Sequence, residues 1–369
     1  MASSSSHTSA RYNASNRLGL DYAVEASKLH APPVPIIDVH SHISGERAPR
    51  IYRRAAELYG IGLTYSMTQL EHVQAMQDVF GESIRFIAVP NYMAEDRRYH
   101  MGRGFIERIE HFHTLGCRIV KFWVAPRATD YAIALGDPSF MRLDAPIRIE
   151  AMEAAHALGM VFMVHVADPD TWFATRYRDA SIYGTKLAQY EPLERLLDRF
   201  TQPWIAAHMG GWPEDLNFLT GLLDRHPNLH LDTSATKWMV RELSRHSRHE
   251  LLAFLKRFQG RILFGSDIVT SDDHLVAAEK TNEMSAKAAS EEEAFDLYAS
   301  RYWALRTLFE TDYEGESPIA DPDLAMVEPN RYTTMDAPPL RGKQLPRDLL
   351  RMIYHDAAHN LLEPLHTPS

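Results

Sequence analysis

Five residues able to hold a metal or move a proton stand at the ends of apolar runs. In Ile36-Ile37-Asp38-Val39-His40-Ser41-His42, two histidines lie two residues apart. If the run is a strand, alternation puts both imidazoles on one face, where together they suit a borderline-soft divalent cation. An H-x-H alone is a weak signal, because any one of 19 histidines is more often a surface residue or a hydrogen-bonded core residue. Here the pattern recurs. Val161-Phe162-Met163-Val164-His165 and Trp204-Ile205-Ala206-Ala207-His208 also close on histidine, and Arg261-Ile262-Leu263-Phe264-Gly265-Ser266-Asp267 closes on a carboxylate. Polar groups ending separate strands of a parallel barrel converge in space although they are far apart in sequence.

The elements that must position them read as repeated βα units. Strands are expected at 36–42, 62–67, 84–89, 118–124, 160–166, 204–208, 229–233 and 262–267. Helical periodicity lies between them at 68–79, 104–115, 145–158, 191–200, 214–225 and 248–258. Eight strands favour an α/β fold of the (β/α)8 TIM-barrel type over an open sheet. No G-x-G-x-x-G follows the first strand, so a dinucleotide site loses its main support. Residues 1–31, ending in a Pro-rich lead-in, read as a flexible N-terminal tail, and 32–369 as one barrel domain. A long insertion after strand 8, 268–344, leaves the barrel on the catalytic face, where a lid, a subunit contact and a peripheral decoration are the alternatives. A last helix, 347–362, closes the outer ring.

Composition narrows the partners. The chain has 369 residues and is 45% hydrophobic, enough for one large core. A formal charge of -10 argues against nucleic acid and anionic membrane surfaces, leaving a small-molecule substrate. The single cysteine, Cys117, permits no intramolecular disulfide and no Cys-rich zinc site. With no signal-peptide core and no long apolar span, a cytoplasmic location is expected.

Taken in order, the phrases Ile37-Asp38-Val39-His40-Ser41-His42, Val164-His165, Ala207-His208-Met209-Gly210-Gly211, Leu231-Asp232-Thr233-Ser234 and Leu263-Phe264-Gly265-Ser266-Asp267 resemble the amidohydrolase superfamily. They are similar in particular to its amidohydrolase-related branch, which includes aminocarboxymuconate-semialdehyde decarboxylase. The resemblance implies His40, His42, His165 and Asp267 as ligands of one divalent ion, zinc first and manganese or iron as alternatives. It implies His208 and Asp267 as the catalytic pair. Some superfamily members bridge two metals through a carboxylated lysine on the fourth strand, which would be Lys121 here, with His208 as a further ligand. In the last helix Asp356 and His359 stand where relatives often carry Asn and Arg.

The remaining candidates come from position. Lys121 and Trp123 share the inner face of strand 4 and are substrate-binding candidates; an inward lysine is costly unless paired, so Lys121 reads as a substrate-binding cation or an ion-pair partner ahead of a carboxylated bridge. Arg47 and Arg50, after strand 1, and Arg127, after strand 4, are on the right face to grip a carboxylate. Asp38 and Asp232 read as groups that orient ligands, and Gly210 and Gly211 as places where backbone approaches a ligand. Hydrolysis of a C–N or C–O bond by metal-activated water is the first reading. Non-oxidative decarboxylation of an unsaturated or aromatic acid is the second, and a metal-binding protein without catalysis the third. A homodimer is expected from the resemblance, with Phe295, Tyr298, Tyr302 and Trp303 either contact residues or, equally, core.

Overall fold

Nine short parallel strands form one curled sheet, in the spatial order β8-β7-β6-β5-β4-β3-β2-β1-β9. The strands are β1 Ile36–His42, β2 Ile61–Ser66, β3 Ile84–Ala88, β4 Ile119–Trp123, β5 Val161–His165, β6 Trp204–Ala206, β7 Leu229–Asp232, β8 Ile262–Leu263 and β9 Ile268–Val269. The computed structural model describes residues 12–277 and 285–366. Helices cover the sheet, giving an α/β barrel-like architecture. The two outermost strands in the list, β8 and β9, are pieces of one run. Its first half pairs with β7 and its second half with β1. Phe264 O and His42 O accept backbone hydrogen bonds from Val39 and Thr270, and Asp267 N donates to His40 O.

Alternation on β4 shows how the strands aim their side chains. Phe122 faces outward and meets Phe105 of the helix Arg103–Thr114 and Phe162 of β5. Its neighbours Lys121 and Trp123 therefore face the other way, with Trp123 in register with His165.

Four expectations need correction. The sixth strand stops at Ala206, because His208 and Met209 take left-handed backbone angles, φ 60° and 51°. The eighth run breaks at 264–267, where Asp267 has φ 59°. Two helices of ten or more residues escape the sequence reading, Ala48–Leu58 and Thr236–Arg245. The first buries Ala48, Ile51, Tyr52, Ala55 and Ala56 while Arg50, Arg53 and Arg54 stay outside, a helical stripe. Finally, the described part of the expected tail is folded. The helix Tyr22–Lys28 is capped by Asp21, and buried Tyr22 packs edge-on to Trp303. The rest of that stretch, residues 1–11, lies outside the described residues.

The segment 268–344 carries the helix Glu291–Glu310, started by the Ser290 cap and three glutamates in its first turn. Tyr298, Tyr302 and Trp303 on it are buried in the core, and Phe295 packs against that core under Arg54. These aromatics are committed within the chain and give a dimer no support. Among the described residues, no helix is long and apolar enough to cross a membrane.

Candidate active site

β1 brings His40 and His42 to the mouth of the curled sheet, and the break after β8 brings Asp267 to meet them. Asp267 Oδ1 lies 3.2 Å from His42 Nε2 and 3.4 Å from His40 Nε2. One donor atom from each of the three lies within 4.8 Å of the others, spacing that fits a single cation. Burial alone would push the Asp267 carboxyl up, but the hydrogen bond from His42 and the imidazoles of His208 and His40 hold it well below the usual range.

Beneath this trio, Asp232 at the end of β7 acts as a staple. Its Oδ2 accepts from His40 Nδ1 at 2.8 Å, and its Oδ1 accepts from the backbone N–H groups of His208 (2.9 Å) and Ser234 (3.0 Å) and from the Ser234 hydroxyl. Burial raises such a carboxyl, but His40 and His208 beside it keep it ionised. An ionised carboxylate only accepts, so the Ser234 hydroxyl proton goes to Asp232. The hydroxyl oxygen, 2.7 Å from His208 Nδ1, then accepts the proton there, which leaves His208 Nε2 bare. Burial also drives His208 well below the ordinary imidazole value, with His165 adding to the effect, so it is neutral near pH 7. His40, His208 and Asp232 form a second group with metal-like spacing, but direct hydrogen bonds already occupy it.

Asp38 points elsewhere. It accepts from the backbone of His40 (3.1 Å) and of Ser266 (3.0 Å), from the Ser266 hydroxyl and from Tyr302, so it locks β1 to the Asp267 turn and to the helix Glu291–Glu310. Gly265 lets that turn pack closely, since a Cβ there would come 3.0 Å from His40 Cβ and 3.1 Å from Ser234 Cβ and push on both.

A cavity of about 440 Å³ opens over these residues. Its chemistry is aromatic and cationic: Tyr92, Trp123, Tyr131 and Trp238 line it together with Lys121 and Arg97. Arg97 stacks over Tyr131 at 5.2 Å. The cavity continues outward past Trp238 into a vestibule lined by Arg127, Trp172, Arg176 and Lys237.

The sequence profile of the amidohydrolase family, described simply as amidohydrolase, matches residues 37–363. The chain belongs to the amidohydrolase family. No curated protein matches it. Among solved structures, it is similar to an amidohydrolase from Burkholderia multivorans with bound zinc. Identity is 13%, 90% of this chain and 99% of that chain are covered, and the TM-score is 0.44. A probable 2-pyrone-4,6-dicarboxylic acid hydrolase from Acinetobacter baumannii, with citric acid bound, is 10% identical over 80% of this chain and 99% of that one, TM-score 0.41. A 2,6-dihydroxybenzoate decarboxylase complexed with 2,6-dihydroxybenzoate is 12% identical over 80% and 96%, TM-score 0.40.

In this amidohydrolase chain, His40, His42, His208, Asp267, Lys121 and Trp123 of the expected site residues line one cavity, and His165 joins them. His165 stands apart from the 4.8 Å trio: its Nε2 meets Asp168 at 2.8 Å, which Tyr177 holds in turn, and its ring sits 4.4 Å from that of His208. Arg127 belongs to the vestibule. Arg47 does not reach either space. The amides of Glu46, Arg47 and Ala48 are taken by the Asp272 carboxylate, and this turns the loop so that the Arg47 guanidinium pairs with Glu291. Gly211 accommodates protein rather than ligand, since a Cβ there would meet Ala167 O at 2.2 Å. Sequence reading missed Arg97, Trp172, Arg176, Trp238, Ser234 and Asp168. Ser234 lies within the quoted strand-7 phrase and Asp168 three residues after His165, so strand-end spacing could have found both.

Lys121 Nζ lies 3.5 Å from His40 Nε2 and has no carboxylate within 4 Å among the described residues. Burial lowers it to about 8, against the pull of Asp232 and Asp267. Lys121→Met should therefore stabilise the protein, on the order of 1–3 kcal/mol, by removing a buried ammonium whose contact is the long one to His40 and that has no carboxylate partner. Thermal denaturation reads the result. A fall in melting temperature would mark Lys121 as held by a partner, as a carboxylated bridge would be.

Proposed function

We propose that this chain is a metal-dependent hydrolase acting on a C–N or C–O bond of a small organic substrate. The meeting of His40, His42 and Asp267 donor atoms within 4.8 Å beside a neutral His208 carries the reading. A divalent ion held there supplies Lewis acidity, polarising a substrate carbonyl and making water a nucleophile near neutral pH. Zinc suits the donor set, with manganese or iron as alternatives. His40 and His42 would bind through Nε2 and Asp267 through Oδ1. The Asp232 contact fixes the His40 tautomer that leaves Nε2 for this role. His165, with Nε2 on Asp168, would serve as fourth ligand through Nδ1. His208 Nε2 would take the proton of the attacking water and return it to the leaving group, while Asp267 would hold that water through a hydrogen bond. Lys121 and Arg97 face a substrate anion.

A second reading has its own support. Cations and aromatic rings around one cavity suit the carboxylate clamp that a non-oxidative decarboxylase of an aromatic or unsaturated acid needs. We further take the sheet as a closed (β/α)8 barrel, supported by the hydrogen bonds from the 264–270 run to β1. The domain would extend N-terminally to include the helix Tyr22–Lys28. The segment 268–344 would be an insertion whose 322–326 stretch lines the vestibule. A cytoplasmic setting is proposed, and a homodimer on the family resemblance alone.

Elemental analysis of the purified chain tests the core of this. About one divalent ion per chain is expected, retained in His208→Ala while turnover of esters, lactones, amides or carboxylic acids falls about a hundredfold or more. Two ions would shift His208 and Lys121 to a binuclear site, and none after growth with added zinc or manganese would reject the metal reading.

A further inference from the structure

Two tryptophans that wall the site share one hydrogen-bond acceptor. Trp172 follows β5 and Trp238 follows β7, and both indole Nε1–H groups donate to the same atom, Asp323 Oδ2, each at 2.9 Å. Asp323 is buried and comes from neither loop. It opens the short helix Asp323–Val327 within the 268–344 segment. Arg241 Nη1 stands 3.3 Å from the same oxygen, and Arg241 also grips Asp321, Glu242 and Thr171. The carboxylate is thus fixed before the indoles reach it. The two rings meet edge-on, 5.9 Å apart, and Trp238 stands perpendicular to His208 with centroids 5.5 Å apart. Without a fixed acceptor each indole could turn about its two side-chain torsions, and a half-buried N–H would be left unpaired.

We propose that Asp323 is a positioning residue: a single carboxylate oxygen takes both indole donors and so sets Trp172 and Trp238 as walls of the substrate mouth, with Trp238 held edge-on to His208. The proposal rests on reading the His40–Asp267 cluster as the reaction centre. It makes the 321–323 turn part of the site without any of its atoms touching a reacting group.

The chain has six tryptophans, so the indole N–H region of a ¹H–¹⁵N spectrum of the full-length protein is simple enough to read. Trp172→Phe and Trp238→Phe assign the two signals. In each of these variants the surviving partner should move downfield, because the shared oxygen is released to one donor. Asp323→Leu should move both signals upfield together and leave the other four in place, and Asp323→Asn, which keeps an acceptor oxygen, should largely restore them. Benzoate, a flat anionic probe read by tryptophan quenching, should bind about tenfold more weakly to Asp323→Leu and near normally to Asp323→Asn, the scale of one lost hydrogen bond. Metal content should not change. Indole signals that ignore each other in the two Phe variants would overturn the clamp even if Asp323→Leu fails to fold. Benzoate affinity unchanged in a folded Asp323→Leu would overturn its role at the mouth. Coupled indoles in a wild-type protein that binds no metal would instead reject the reaction centre and leave the clamp standing.

Discussion

His40→Ala is expected to lose its divalent ion and its turnover together, with Asp267→Ala behaving alike. Each removes one of the three donors that meet within 4.8 Å. Groups that only orient metal ligands already cost about 10–100-fold in affinity or activity when removed, so loss of a donor should exceed that range. Asp232→Asn sets the internal scale. Asp232 supplies no proposed metal donor, yet the change puts an amide NH2 where Oδ2 accepted from His40 Nδ1, while Oδ1 still accepts from His208 N and Ser234 N, and its effect should fall within the 10–100-fold range. Elemental analysis beside activity separates the cases, and full metal retention in both alanine variants would sink the assignment of these donors.

Arg241→Ala should produce the largest loss of stability. Its side chain is buried among Glu242, Asp321 and Asp323, themselves almost fully buried. Burial would lower the guanidinium, but the carboxylates of Asp321 and Glu242 push it the other way, so it stays charged. Removing it leaves the buried Glu242, Asp321 and Asp323 with Arg245, Lys237 at 3.9 Å and the two indole donors as their side-chain partners, and loss of one partner of a buried pair costs about 3–5 kcal/mol. Chemical denaturation would show it as a lower midpoint, and a cost below about 1 kcal/mol would mean that water already reaches the cluster.

The strand ends were the legible part of the candidate site. A histidine or aspartate closing an apolar run is a local pattern, and β1, β5 and the 262–267 run place theirs at one mouth for that reason. What surrounds the mouth was not legible. Arg97, Trp172, Arg176 and Trp238 sit in loops and short helices whose direction depends on contacts made far away, such as Asp323 on the two indoles. Arg47 shows the same limit from the other side: its chain position was right, but Asp272 turned its loop away. The helix Thr236–Arg245 escaped because its buried face includes Thr236, Arg241, Glu242 and Ser244, and the polarity of Thr236, Arg241 and Ser244 is satisfied by distant partners, Ser266, Asp321 and Arg341. The break at Asp267 depends on a left-handed residue that side-chain patterns do not encode.

The pairing of β1 with the 264–270 run has a consequence for how the protein is made. His40 and His42 are synthesised early, whereas Asp267 and the strand that seats it against them come more than 200 residues later. Contacts of such wide sequence separation form late, after most of the loop-closure entropy has been met. On the ribosome, the donor trio cannot assemble until Asp267 has emerged, 225 residues after His42. Capture of an ion by all three donors would therefore report that the first and last strands have met, and a nascent chain stalled before Asp267 would carry two histidines with no third donor to join them.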